Sequence, residues 1–148
     1  MDRKRELCQQ EDAAWVELWR ILDALSPEQI ERPGYFDEGW SVKDLMTHIG
    51  CWQAETVQIL EQIRFDTFDH PAVDVDSLNR SFLEATRDFT VDLAWVELWS
   101  ARTRMLQEWC LLPDVTSDAE EWFFESGANH YAEHLPRLRQ WAEELVAS

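Results

Sequence analysis

Apolar residues recur along this chain at intervals of three and four, and almost nowhere in the strict alternation of a half-buried strand. From about Arg5 to Leu25 one stripe holds Leu7, Trp15, Leu18, Trp19, Leu22 and Leu25, which predicts a first long helix. At Ser26-Pro27-Glu28-Gln29 a Ser cap, a Pro at the first helical position and a Gln three residues on start a separate short helical turn. A loop covers Arg32 to Gly39. Ser41 then caps a second long helix running from Val42 to about Phe65, with Trp40 placed to staple against Leu45. Its stripe is Val42, Leu45, Met46, Ile49, Trp52, Ile59, Leu60 and Ile63.

Beyond an Asp-rich loop containing His70-Pro71, a helix is expected from near Asp76 or Ser77, using Leu78, Phe82, Ala85 and Phe89. Thr90 offers a second cap before a stripe of Trp95, Val96, Trp99, Thr103, Leu106, Trp109 and Cys110, which ends at Leu112-Pro113-Asp114. The pattern leaves open whether residues 76–112 form one bent helix or two. Ser117, with Glu120 three residues on, is placed to cap a last helix reaching about Val146, with Trp122, His130, His134, Leu138, Trp141 and Leu145 down one side. Pro136 falls inside it and should bend it, either as a tolerated kink or as a bend that aims nearby side chains. Four long helices with short connections predict an all-α fold, a four-helix bundle in one domain over residues 1–148.

Composition narrows the partners. Thirteen Lys and Arg against 30 Asp and Glu give a formal charge of −17, which argues against a protein that tracks nucleic-acid phosphates and against binding to an anionic membrane. No apolar run approaches the roughly 18 residues of a spanning helix. The first ten residues lack the apolar stretch of a secretory signal, so the expected location is cytoplasmic. Cys8, Cys51 and Cys110 are odd in number and widely spaced, as suits free thiols in a reducing compartment. Nine Trp residues point to a well-filled interior with an aromatic-lined cavity or a subunit interface.

Four histidines carry the candidate chemistry. His130 and His134 stand four apart on the apolar face of the last helix, a spacing that lets two imidazoles share one metal ion. His48 sits at the edge of the second helix's stripe, so three rings could converge between facing helices and leave a coordination position open. Each has a plainer reading as a packed core histidine. His70, in the acidic loop, reads as solvated, and Cys51 reads as packing rather than ligand or nucleophile. His130-Tyr131-Ala132-Glu133-His134 matches the H-x-x-E-H pattern of the inverted zinc peptidases, but only 14 residues follow His134, too few for their distant acidic ligand. Glu133 falls about 100° around the helix from His134, on the solvated flank rather than as a general base. Trp52, Trp122 and Tyr131 are candidates to line a pocket.

Two segments, Gly39-Trp40-Ser41-Val42-Lys43-Asp44-Leu45-Met46-Thr47-His48-Ile49-Gly50-Cys51-Trp52 and His130-Tyr131-Ala132-Glu133-His134-Leu135-Pro136-Arg137-Leu138-Arg139, resemble the DinB/YfiT-like superfamily. The resemblance is greatest to the branch with the N-terminal domain of mycothiol-dependent maleylpyruvate isomerase and the ClbS/DfsB-type proteins. It implies a four-helix bundle of up-down-down-up topology, often dimeric, with a divalent metal on the positions of His48, His130 and His134. Relatives of this kind include isomerases and transferases that use mycothiol or bacillithiol, and a hydrolase of a toxic metabolite. The expectation is therefore a zinc or nickel enzyme acting with a small thiol on a small electrophilic molecule. A metal-dependent hydrolase, a non-catalytic metal or ligand binder, and a bundle with vestigial histidines are the alternatives.

Overall fold

The computed structural model describes residues 2–36 and 39–148. Among them the chain forms seven helices and no strand: α1 (Arg3–Asp23), α2 (Pro27–Glu31), α3 (Val42–Arg64), α4 (Val75–Thr86), α5 (Val91–Leu111), α6 (Ser117–Ser126) and α7 (Ala128–Ala147). The long helices build an all-α bundle in which α3 packs most extensively on α5, and α1 on α7.

Local chemistry sets most boundaries. Ser26 with Gln29, and Ser41 with Asp44, close reciprocal capping boxes that start α2 and α3. Residues 76–112 are two helices, because Thr90 caps α5 through the Leu93 amide after a break at residues 87–90. α4 starts at Val75, next to the expected start near Asp76, with Asp74 as its cap. The expected last helix is also two. Thr116, not Ser117, accepts the Ala119 amide to cap α6, and Gly127 then separates α6 from α7. A Cβ on Gly127 would lie 2.8 Å from the Phe123 carbonyl oxygen and 3.1 Å from Glu11 Cγ, so the chain turns where only a glycine fits. Pro136 is exposed, and α7 continues past it to Ala147.

The buried face of α5 is rotated from the expected stripe. Val91, Ala94, Leu98, Ala101, Met105 and Trp109 face inward, while Val96 and Trp99 remain 58% and 42% exposed. The cause is close packing: a Cβ on Gly50 of α3 would be 3.5 Å from the Leu98 Cα. Small residues on both helices let the backbones approach, and that approach outweighs burial of two larger side chains.

Behind α7 lies a polar network that the apolar stripes did not reveal. Glu11, only 1% exposed, accepts hydrogen bonds from Arg102 Nε (2.8 Å) and Nη2 (2.6 Å) of α5 and from the Tyr131 hydroxyl of α7 (2.8 Å). Gln53 of α3 donates to the same Tyr131 oxygen at 2.5 Å. Burial alone would lower the Arg102 pKa, yet its bonds to Glu11 raise it, while burial and then Glu11 raise that of Tyr131. One carboxylate thus fastens three helices beside His130, and Tyr131 ties in α3 through Gln53. Glu11→Ala should strand Arg102 and Tyr131 without their acceptor and cost about 3–5 kcal/mol in a urea melt, with Glu11→Gln costing less.

Candidate metal centre

The α3 and α7 backbones scarcely approach each other, and side chains span the gap between them. From α3 comes His48, and from successive turns of α7 come His130 and His134. The Nε2 atoms of His48 and His130 are 3.0 Å apart, and one ring nitrogen from each of the three histidines falls within 4.8 Å of the other two. Ring centroids lie 4.9 Å (48–130), 5.4 Å (48–134) and 4.8 Å (130–134) apart. The three predicted site residues are therefore brought together, and could hold a metal ion.

The cluster is held neutral. Burial, then the neighbouring ring of His134, lowers the His48 pKa to about 4; burial, then His48 and His134, lowers that of His130 to about 2; burial lowers His134. The Nδ1 atoms of His48 and His130 are buried without a hydrogen-bond partner, so packing rather than an outer hydrogen bond orients these rings. Trp40 packs against His48 with centroids 5.6 Å apart.

The triad lines one side of a cavity of about 790 Å³, within the range of small-molecule sites. Its aromatic wall is Tyr35, Phe36, Trp40, Trp52 and Trp122, and α4 contributes Asp76, Asn79, Arg80 and Leu83. Trp52 is fixed by donating to Asn79 at 2.7 Å and by an edge-on contact with Phe82. Of the three expected lining residues, Trp52 and Trp122 are present but Tyr131 is not: one step around α7 from His130, it points into the core toward Glu11. Glu133 is exposed, as expected, and stands on the cavity rim with its carboxylate accepting from Asn129 at 3.1 Å.

The remaining candidates lie elsewhere. His70 is exposed in the loop before α4 and pairs with Asp118 at 2.8 Å. Cys51 is half-buried outside the cluster, and burial, then Glu97, raises its thiol pKa to about 11, which leaves it a poor nucleophile at neutral pH. Sequence reasoning missed the wall supplied by Tyr35, Phe36 and α4. It also missed Glu11, although Leu7, Glu11, Trp15 and Leu18 share one helical face and so hinted at a buried carboxylate.

A family model described as the mycothiol maleylpyruvate isomerase N-terminal domain matches residues 12–147. Among solved structures, that of an uncharacterised protein from Escherichia coli UTI89 is similar, with a TM-score of 0.77 at 20% identity over 95% of this chain and 93% of that one. This likeness shows the fold alone. No curated protein sequence matches the chain.

Depressed imidazole pKa values have a consequence for the metal-free protein. Between pH 6.5 and about 4 the unfolded chain binds protons that folded His48 does not, so stability falls as pH drops through that window. In chelator-treated protein, lowering the pH from 7 to 5 should cost about 2 kcal/mol through His48 alone, and His48→Gln should flatten the urea-measured profile by about that amount.

Proposed function

This chain belongs to the mycothiol maleylpyruvate isomerase N-terminal domain family, and from that membership and its three-imidazole cluster we propose a divalent-metal-dependent enzyme. It uses a small thiol of the mycothiol or bacillithiol kind to transfer to, or isomerise, a small electrophilic metabolite. The observation that carries the reading is the meeting of His48, His130 and His134 at the wall of a cavity large enough for a small molecule.

The residues fit zinc or nickel. Three neutral nitrogen donors within 4.8 Å of one another suit either ion. Three protein ligands leave a position for a visitor, which is the arrangement of a catalytic rather than a structural site. When bound, such an ion lowers the pKa of a coordinating thiol and so supplies a thiolate nucleophile at neutral pH.

The chain's own side chains account for the rest. His48 and His130 are unprotonated at neutral pH and so offer their lone pairs without first losing a proton. The indoles of Trp40, Trp52 and Trp122 cover the apolar part of a substrate and reduce the water around it. No thiol of the chain itself lies in the cavity lining among the described residues, which is why the sulfur is assigned to a diffusible cosubstrate.

Zinc or nickel added to stripped protein should bind at one ion per chain, and His130→Ala should weaken binding by more than about 100-fold, beyond the effect of losing an outer-shell partner, with helical circular dichroism retained. Calorimetry on the two proteins checks this, and unchanged affinity would remove His130 from the site. In a thiol-consumption assay with N-acetylcysteine and a small alkylating electrophile, acceleration should vanish with chelator and return with zinc. Binding without acceleration would instead make the protein a metal carrier or sensor.

A further inference from the structure

We propose that Tyr131 is a positioning residue for the histidine cluster, its hydroxyl being the joint that sets how far the helix of His48 stands from the helix of His130 and His134; this rests on reading the cluster as a metal site and names what holds that site to its dimensions. The α3 and α7 backbones scarcely approach each other, so side chains decide their separation. Apolar packing among Leu45, Ile49, Leu135 and Leu138 fills part of the gap but has no direction of its own. Among the described residues two side-chain hydrogen bonds cross it: the His48–His130 contact itself, and the bond from Gln53 Nε2 of α3 to the Tyr131 hydroxyl of α7, at 2.5 Å. The second lies close to the first, because Tyr131 follows His130 and Gln53 is five residues past His48, about 7.5 Å along the helix.

The hydroxyl is held from both sides. It donates its one proton to Glu11 of α1 at 2.8 Å, so toward Gln53 it accepts, and the sense of both bonds is fixed. Tyr131, Gln53 and Glu11 are all fully buried, which shelters these bonds from solvent and makes an unpaired group here costly. Beyond Tyr131, the Gln53 amide nitrogen reaches only the Ser126 carbonyl oxygen, at 3.5 Å, and its own Oε1 is buried without a partner. Without the hydroxyl, the polar link between α3 and α7 would be the imidazoles alone. Ligating histidines are usually oriented by a hydrogen bond to the far side of the ring, but the Nδ1 atoms of His48 and His130 have none. That task falls to the neighbouring residue, which acts through the α7 backbone.

Tyr131→Phe removes the hydroxyl and keeps the ring against Trp15, while Thr56→Val removes an equally buried bond from α3, to Ser126 of α6, that does not cross to α7. In calorimetric titrations of the stripped full chain, zinc affinity should fall about tenfold or more in Tyr131→Phe and in Gln53→Leu, no further in the double variant, and stay within about twofold in Thr56→Val. In the same proteins without metal, the nuclear Overhauser effect between the His48 and His130 rings should weaken in Tyr131→Phe and persist in Thr56→Val, a readout that loss of stability alone does not move. Should Tyr131→Phe not fold, Gln53→Leu carries both measurements. Unchanged affinity in Tyr131→Phe, additive losses in the double variant, an equal loss in Thr56→Val, or an unchanged ring-to-ring signal would each overturn the proposal. The two readings fail separately: zinc binding that ignores these substitutions removes only the role of Tyr131, and a weakened ring-to-ring signal in a protein that binds no zinc removes only the metal.

Discussion

The buried carboxylate of Glu11 is the constraint on which the site depends. An ionised group removed from water is tolerated only when its oxygens are filled, and here they are filled by Arg102 of α5 and Tyr131 of α7. Because Tyr131 adjoins His130, the bond that satisfies the charge also fixes the rotation of α7 about its axis. His130 and His134 are then turned away from Glu11, toward α3. The energetic requirement of one acid on α1 is thus converted into the orientation of two imidazoles on another helix.

Much of this was legible in the sequence, for identifiable reasons. Caps at Ser26, Ser41 and Thr90 are local events, decided by a side chain and an amide two or three residues away, so their spelling suffices. The histidine cluster was legible because i, i+4 spacing fixes a shared face whatever the tertiary packing, and His48 lay on the edge of an apolar stripe. Other features depend on contacts the spelling does not encode. The inward face of α5 is chosen by how closely Gly50 lets α3 approach, which turns Trp99 outward. A lone glycine does not declare a break, and at Gly127 it is the non-helical backbone (φ −106°, ψ −109°), crowded by the Phe123 carbonyl and Glu11, that makes one. Tyr35, Phe36 and Trp40 and the wall from α4 reach the cavity by tertiary placement alone.

Burial and charge act in opposite directions around the cavity. At the histidine end, low solvation keeps the imidazoles uncharged, the state in which they serve as ligands. At the rim stand the exposed side chains of Asp76, Glu125 and Glu133. Between the two ends the lining is aromatic, with Trp40, Trp52 and Trp122.

Arg137, one turn beyond His134, donates to the backbone carbonyl oxygens of Tyr35 (2.6 Å) and Gly34 (3.2 Å). The strap that carries Tyr35 and Phe36 is thus bolted to the same rod that bears two of the three imidazoles. Ceiling and floor are thereby joined into one unit. The opposite side belongs to α4, which is held chiefly through α3, so the gauge of the chamber is set by that single seam.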